Sequence, residues 1–151
     1  MPDIILPDTS CLIFLDKIGQ IDVLQSLYNR TLVTKEVADE HILPLKEWIE
    51  VVSVQDKRYQ KVLEHSVDIG EASMMVLALE MEDCVISLDD LRARKVAGKL
   101  GLKMTGTLGI ISKAKKTGHI ESMKKTIDKL KRVDFRISDK VEQELLRISG
   151  E

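Results

Sequence analysis

The residues of this chain best equipped for chemistry are acids placed at or near the ends of apolar runs. Asp8 closes Ile4-Ile5-Leu6-Pro7, and Asp89 and Asp90 close Cys84-Val85-Ile86-Ser87-Leu88. Glu36, Glu40 and Glu71 fall in stretches of helical periodicity. Carboxylates brought within ~4–6 Å of one another repel, which raises some of their pKa values and weakens a fold unless a cation offsets the charge. Hard oxygen donors without a histidine partner suit Mg2+ or Mn2+. An ion held by such a group can orient a phosphate, lower the pKa of a bound water and stabilise a departing oxygen, which is the chemistry of phosphodiester hydrolysis. The other ligand types carry no such signal. His41, His65 and His119 are scattered without ligand spacing and are expected at the surface; Cys11 and Cys84 lack CxxC spacing and are expected as buried free thiols.

Taken singly, each acid also has a structural role open to it. Asp8 precedes a helix pattern and can cap it, Asp68 and Glu71 have the spacing of a capping box, and Asp89 or Asp90 can cap the helix that begins at Leu91. Glu40 can be a solvated helix residue. The combination points further, because Asp8 and Asp89 both end apolar strands while Glu40 and Glu71 lie about one helical turn from neighbouring strand ends. In open doubly wound folds, ligands bind outside the carboxyl ends of the strands.

The elements that must position these acids alternate along the chain. Short apolar or β-branched runs at 4–6, 31–33, 50–54, 84–88 and 103–105 are expected as strands. Between them, helices are expected from Cys11 towards Gly19, after Thr34 with Glu36, Asp39 and Glu40 in its first turns, over 57–65, from Asp68 through Met81, and from Leu91 to Leu100. Gly106-Thr107-Leu108-Gly109 reads as a turn into a helix over 110–116, and two more helices are expected within about residues 120–149. The expected architecture is one α/β domain over residues 1–151. It comprises a doubly wound five-stranded parallel sheet over about residues 4–118 and an appended C-terminal helical pair. Ile127, Leu130, Leu145 and Ile148 exceed what that pair need bury internally, so it is expected to contribute to a homodimer.

Composition frames the partners. At 151 residues, 44% hydrophobic and 32% charged, the chain has an ordinary globular balance. No apolar run approaches a membrane-spanning length and the start of the chain lacks the basic region of a secretory signal, so no membrane partner and a cytoplasmic location are expected. The formal net charge of −2 conceals a division: residues 1–90 hold 7 Lys and Arg against 18 Asp and Glu, a net of −11, and residues 91–136 hold 14 against 3, a net of +11. An acidic part containing every candidate ligand, followed by a basic part, fits a cation site beside a surface for a polyanion. Arg92, Arg94, Lys95 and Lys99 lie on the outer face of the helix directly after Asp90 and are the expected contacts to a phosphate backbone. Aromatic residues, at 3%, are too few for a base-stacking platform.

Over about residues 4–118 this pattern resembles the PIN-domain nucleases. That family carries a strand ending in D-T-N/S, found here as Asp8-Thr9-Ser10, and a helix with V-x-x-E, found as Val37-Ala38-Asp39-Glu40. It also carries an acid opening an apolar helix, found as Gly70-Glu71, and a strand ending in T-x-D/N, found as Ser87-Leu88-Asp89 with Ser in place of Thr. The Gly106–Gly109 segment and the extra helices are similar to a prokaryotic branch of the family. The resemblance implies a sheet of order 3-2-1-4-5 and a metal-dependent ribonuclease in which Asp8, Glu40, Glu71 and Asp89 bind Mg2+ or Mn2+ and a metal-activated water attacks phosphorus. It leaves open whether Glu36 or Glu40 is the second ligand, gives Asp90 a supporting place, and lets Ser10 offer a hydroxyl to metal or phosphate. RNA is the implied partner. Many members are toxins paired with a small antitoxin protein, and many are homodimers. Two rivals stand beside this reading. A receiver-type phosphoacceptor domain fits less well, because Pro7-Asp8 brings a single acid and Ser53-Val54-Gln55 brings none. The other rival is a non-catalytic module of the same fold that binds RNA or a protein.

Overall fold

Two strands form the middle of the molecule, and both are apolar along most of their length, as burial on both faces demands. They are β1 (Ile4–Pro7) and β4 (Cys84–Ser87), paired in parallel with Pro7 opposite Ser87. Ile5, Leu6 and Ile86 are completely buried. The computed structural model describes residues 2–41 and 44–151. Outward from β1 lie β2 (Arg30–Thr34) and β3 (Ile49–Val52), and outward from β4 lies the short β5 (Met104–Thr105). All pairings are parallel and the order is β3-β2-β1-β4-β5, as expected. Receiver-type domains use the order 2-1-3-4-5, so that rival is excluded by topology.

Parallel neighbours need helical crossovers. Here α1 (Thr9–Lys17) and α2 (Val23–Leu27) connect β1 to β2, and α3 (Lys35–Glu40) connects β2 to β3. Next, α4 (Lys57–Leu63) and α5 (Ile69–Glu80) lead to β4, and α6 (Leu91–Lys99) leads to β5. Three helices follow: α7 (Thr107–Lys116), α8 (Met123–Arg132) and α9 (Asp139–Ile148). Helix α5 packs against β2 and β4 and is itself covered by α3 and α4. It is buried without a break from Ala72 to Ala78, which is why its sequence is apolar all round instead of striped. Beyond them, α1 and α2 contact α7, which carries α8. Among the described residues no helix is long and apolar enough to cross a membrane.

Several boundaries differ from the sequence pattern for physical reasons. Strand β3 ends at Val52, because the Glu80 carboxylate accepts the N–H groups of Gln55 and Asp56 and bends the chain towards α4. The segment expected as a turn at 106–109 is instead the start of α7, whose first N–H, on Thr107, donates to Asp89 Oδ1 at 2.9 Å. His41 is buried, contrary to expectation, while His65 and His119 are exposed. Cys11 and Cys84 are buried and free, as expected.

The C-terminal helices use most of their apolar residues within the chain. Ile127 and Leu130 are completely buried in the same core as the sheet, Leu145 is half-buried, and Val141 and Ile148 are exposed. The link between α8 and α9 is anchored by Phe135, edge-on to Phe14 of α1 with ring centroids 4.9 Å apart.

Candidate functional site

The register of β1 on β4 determines what surrounds Asp8. Because Pro7 lies opposite Ser87, the Ser87 hydroxyl reaches Asp8 and donates to Oδ1 at 3.1 Å. The same oxygen accepts the Cys11 N–H at 3.1 Å, so Asp8 also caps α1. Asp8 is only 7% exposed. Burial pushes its carboxyl up to about 7, and the charge of Asp89 adds to the shift against the hydrogen bonds from Cys11, Ser87 and the Asp89 backbone.

Of the adjacent acids after β4, the second serves its own helix and the first reaches across to another. Asp90 Oδ2 accepts the Ala93 N–H at 2.9 Å and caps α6. Both oxygens of Asp89 are taken by one residue, Thr107, whose N–H donates to Oδ1 at 2.9 Å and whose hydroxyl donates to Oδ2 at 2.5 Å.

Glu71 sits in the first turn of α5 and forms the capping box its spacing suggests. Asp68 Oδ1 accepts the Glu71 N–H at 2.8 Å, and Glu71 Oε1 accepts the Asp68 N–H at 3.3 Å. Its carboxyl is nonetheless pushed up to about 7, first by burial and then by the charge of Asp68, with Asp90 and Asp8 contributing. Structural and electrostatic roles therefore coexist in one side chain. A cleft of about 250 Å³ beside it is lined by Asp68, Glu71, Asp90, Arg92 and His65.

Glu36 and Glu40 have different neighbours. Glu40 Oε2 accepts from the Thr9 hydroxyl at 2.8 Å, and its carboxylate lies directly over Gly70. A β-carbon at Gly70 would stand 2.6 and 2.7 Å from its two oxygens. A glycine in the first turn of α5 makes room there for an acid from another helix. Glu40 is thus seated between the neighbours of Asp8 and Glu71. Glu36 Oε2 lies 4.0 Å from Lys57 Nζ and has no hydrogen-bond partner among the described residues.

The basic residues of α6 divide in the same way. Arg92, Lys95 and Lys99 are exposed. Arg94 is half-buried, and its Nη1 donates to Leu88 O at 2.7 Å and Thr105 O at 3.0 Å, tying the ends of β4 and β5 together. Ser10 is exposed in the first turn of α1, next to the Thr9 that holds Glu40. Gly70 and Thr107 were not singled out by the sequence as partners of the acids. A glycine inside an otherwise apolar helix was the available signal for the first; nothing local signals the second.

The donor set fits a hard divalent cation. It offers carboxylates without nitrogen or sulfur, and two of them, Asp8 and Glu71, are raised in proton affinity by burial and by neighbouring carboxylates. Among the described residues none of Asp8, Glu40, Glu71, Asp89 and Asp90 forms an ion pair. Glu40, Glu71 and Asp90 each keep one oxygen without a protein donor among the described residues. As the side chains stand, no three His, Cys, Asp or Glu groups among the described residues are gathered closely enough to grip one ion. Each is held by a donor of its own: Asp89 by Thr107 of α7, Asp90 by the Ala93 N–H of α6 and Glu71 by the Asp68 N–H.

A parallel sheet of this order, with carboxylates at the carboxyl ends of its central strands, defines a class of α/β domain with an acidic crevice. The model of a family described as a PIN domain matches residues 4–151, and the chain belongs to the PIN-domain family. PIN domains are typically nucleases and generally use divalent metals. Neither the curated proteins nor the solved structures give a match to the chain.

Proposed function

We propose that this protein is a metal-dependent endoribonuclease that hydrolyses RNA phosphodiesters. The observation that carries the reading is the placement of Asp8 and Asp89 just past the ends of β1 and β4, where the charge of Asp89 acts on Asp8 and that of Asp8 on Glu71 in the first turn of α5, with no protein cation paired with them among the described residues. Asp8, Glu40, Glu71 and Asp89 would hold Mg2+ or Mn2+, with Asp90 in support. When bound, the ion would orient a phosphate and activate a water for attack. The chain's own contribution is orientation. Cys11 N–H and Ser87 fix Asp8, Thr9 holds Glu40 over Gly70, and Thr107 holds Asp89. Arg92, Lys95 and Lys99 stand exposed on the helix that Asp90 caps, where a phosphate backbone entering the crevice would meet them. Arg94 is engaged with strand carbonyls and would contribute through the fold. A cytoplasmic toxin restrained by a small antitoxin, and a homodimer using the exposed Val141 and Ile148 of α9, extend the proposal.

The test is cleavage of a labelled RNA with Mn2+, Mg2+ or EDTA. Cleavage is expected in either metal, and none in EDTA or with Asp8→Asn or Asp89→Asn at unchanged circular dichroism. Unimpaired metal-dependent cleavage by Asp89→Asn would overturn the site. One observation favours a second reading, a non-catalytic RNA-binding module: no three ligand side chains are gathered among the described residues. That reading requires RNA binding indifferent to EDTA and no turnover in either metal.

A further inference from the structure

Asp89 lies two residues past the end of β4, is exposed, and receives no hydrogen bond from a side chain of its own segment among the described residues. What orients it comes from 18 residues further along the chain. Thr107 is completely buried, and its N–H and hydroxyl take one carboxylate oxygen each. Two donors on two oxygens fix the plane of the carboxylate as well as its position. Each oxygen can accept a second interaction, so the grip leaves lone pairs directed elsewhere. From these contacts we infer that Thr107 is the positioning residue of Asp89, setting the orientation in which that carboxylate meets a divalent cation; the inference rests on the metal-site reading above.

Two further features support this assignment. Gly106 occupies the capping position of α7 without a side chain, and a β-carbon there would stand 2.9 Å from Asp89 Oδ1. Glycine therefore permits the approach, and Asp89 caps α7 from a distance. The spacing between the two segments is itself held, because Leu88 N–H donates to Thr105 O at 2.9 Å and Arg94 Nη1 bridges the Leu88 and Thr105 carbonyls.

The test uses the full chain and two readouts, Mn2+ affinity by titration calorimetry and steady-state cleavage of RNA. Thr107→Val keeps the shape and the backbone donor but removes the hydroxyl, and Thr107→Ser restores it. Thr107→Val is expected to bind Mn2+ about 10–100-fold more weakly, the usual consequence of losing a partner to a metal ligand. Its kcat should fall with KM for RNA unchanged, and Thr107→Ser should recover both. Gly106→Ala, which displaces the Asp89 carboxylate with Thr107 intact, should weaken Mn2+ in the same way and keeps the inference testable if Thr107→Val does not fold. Wild-type Mn2+ affinity in Thr107→Val, or in Gly106→Ala, overturns the inference alone. A wild-type protein that binds no Mn2+ overturns the metal-site reading and the inference with it.

Discussion

In the C-terminal helices, carboxylates stand against cations or helix N–H groups. Glu142 accepts from Lys131 at 2.8 Å and lies 3.9 Å from Lys124, and Glu144 pairs with Arg147. Glu151 accepts the Met123 N–H at 2.7 Å and sits 3.4 Å from Lys115. Past the ends of β1 and β4 and at the start of α5, by contrast, Asp8, Glu71, Asp89 and Asp90 have no cation paired with them among the described residues and receive only hydroxyl and backbone N–H donors. The consequences have opposite sign. Glu144 and Glu151 are held below the usual carboxylate range by their donors, while Asp8 and Glu71 are pushed up to about 7 by burial and neighbouring charge. The first arrangement is what a solvated scaffold tolerates at little consequence. The second opposes folding, and it is the arrangement a cation would relieve.

The largest effect separating the two regions should be on activity. Asp8→Asn is expected to lower metal-dependent RNA cleavage by at least ~100-fold, the upper range for losing even an outer-shell partner. Asparagine still caps α1, so the protein should fold, and its metal-free melting temperature should rise. Glu142→Gln, the matching change in the C-terminal helices, should leave cleavage intact. Equal losses from the two would break the comparison.

Stability should separate apolar from ionic contributions within the C-terminal helices. Leu130→Ala is expected to lose ~2–5 kcal/mol in urea unfolding, because it empties a completely buried site. Ile148→Ala, on the exposed side of α9, should stay within ~0.5 kcal/mol. A large loss at Ile148 would instead indicate that the residue is covered in solution.

The acidic crevice should also give the metal-free protein a characteristic pH dependence. Asp8 and Glu71 have folded values of about 7 against ordinary values of 3.8 and 4.5. Between these limits the folded protein retains protons that the unfolded chain has released, so stability falls as pH rises from about 4 to about 7 and then levels off. Melting in EDTA should therefore occur at higher temperature at pH 5 than at pH 7.5, and Asp8→Asn should flatten the trend. At pH 7.5, Mn2+ at a hundred times its Kd should restore ~2.7 kcal/mol. Melting indifferent to both pH and metal would remove the electrostatic basis of the site.

The smallest effect belongs to the surface pairs. Lys131→Ala should shift the urea midpoint least of all these changes, since its pair with Glu142 is partly exposed and exposed pairs contribute little. The shift should shrink further in high salt.

The local roles of the acids were legible in the chain. Asp8 before α1, Asp68 with Glu71, and Asp90 before α6 cap as their spacing indicates, because a cap is made three residues from its donor and depends on little else. The strands were legible for a similar reason: apolar runs with abrupt acidic ends state both burial and where burial stops. The sheet order came with the family pattern, and the structure carries it.

What only the tertiary structure decided is where each side chain finds a partner outside its own turn. Glu36 and Glu40 lie on one short helix and differ only in what faces them, Lys57 for one and Thr9 with Gly70 for the other. Arg94 belongs by sequence to a basic helix face, yet the proximity of β5 gives its guanidinium two strand carbonyls. Thr107 looked like part of a turn and is the first residue of a helix capped by Asp89, 18 residues earlier. Caps and periodicity are settled by neighbours within a turn of chain. Which loops meet at one edge of the sheet is settled by strand order and register, and no local spacing contains that information.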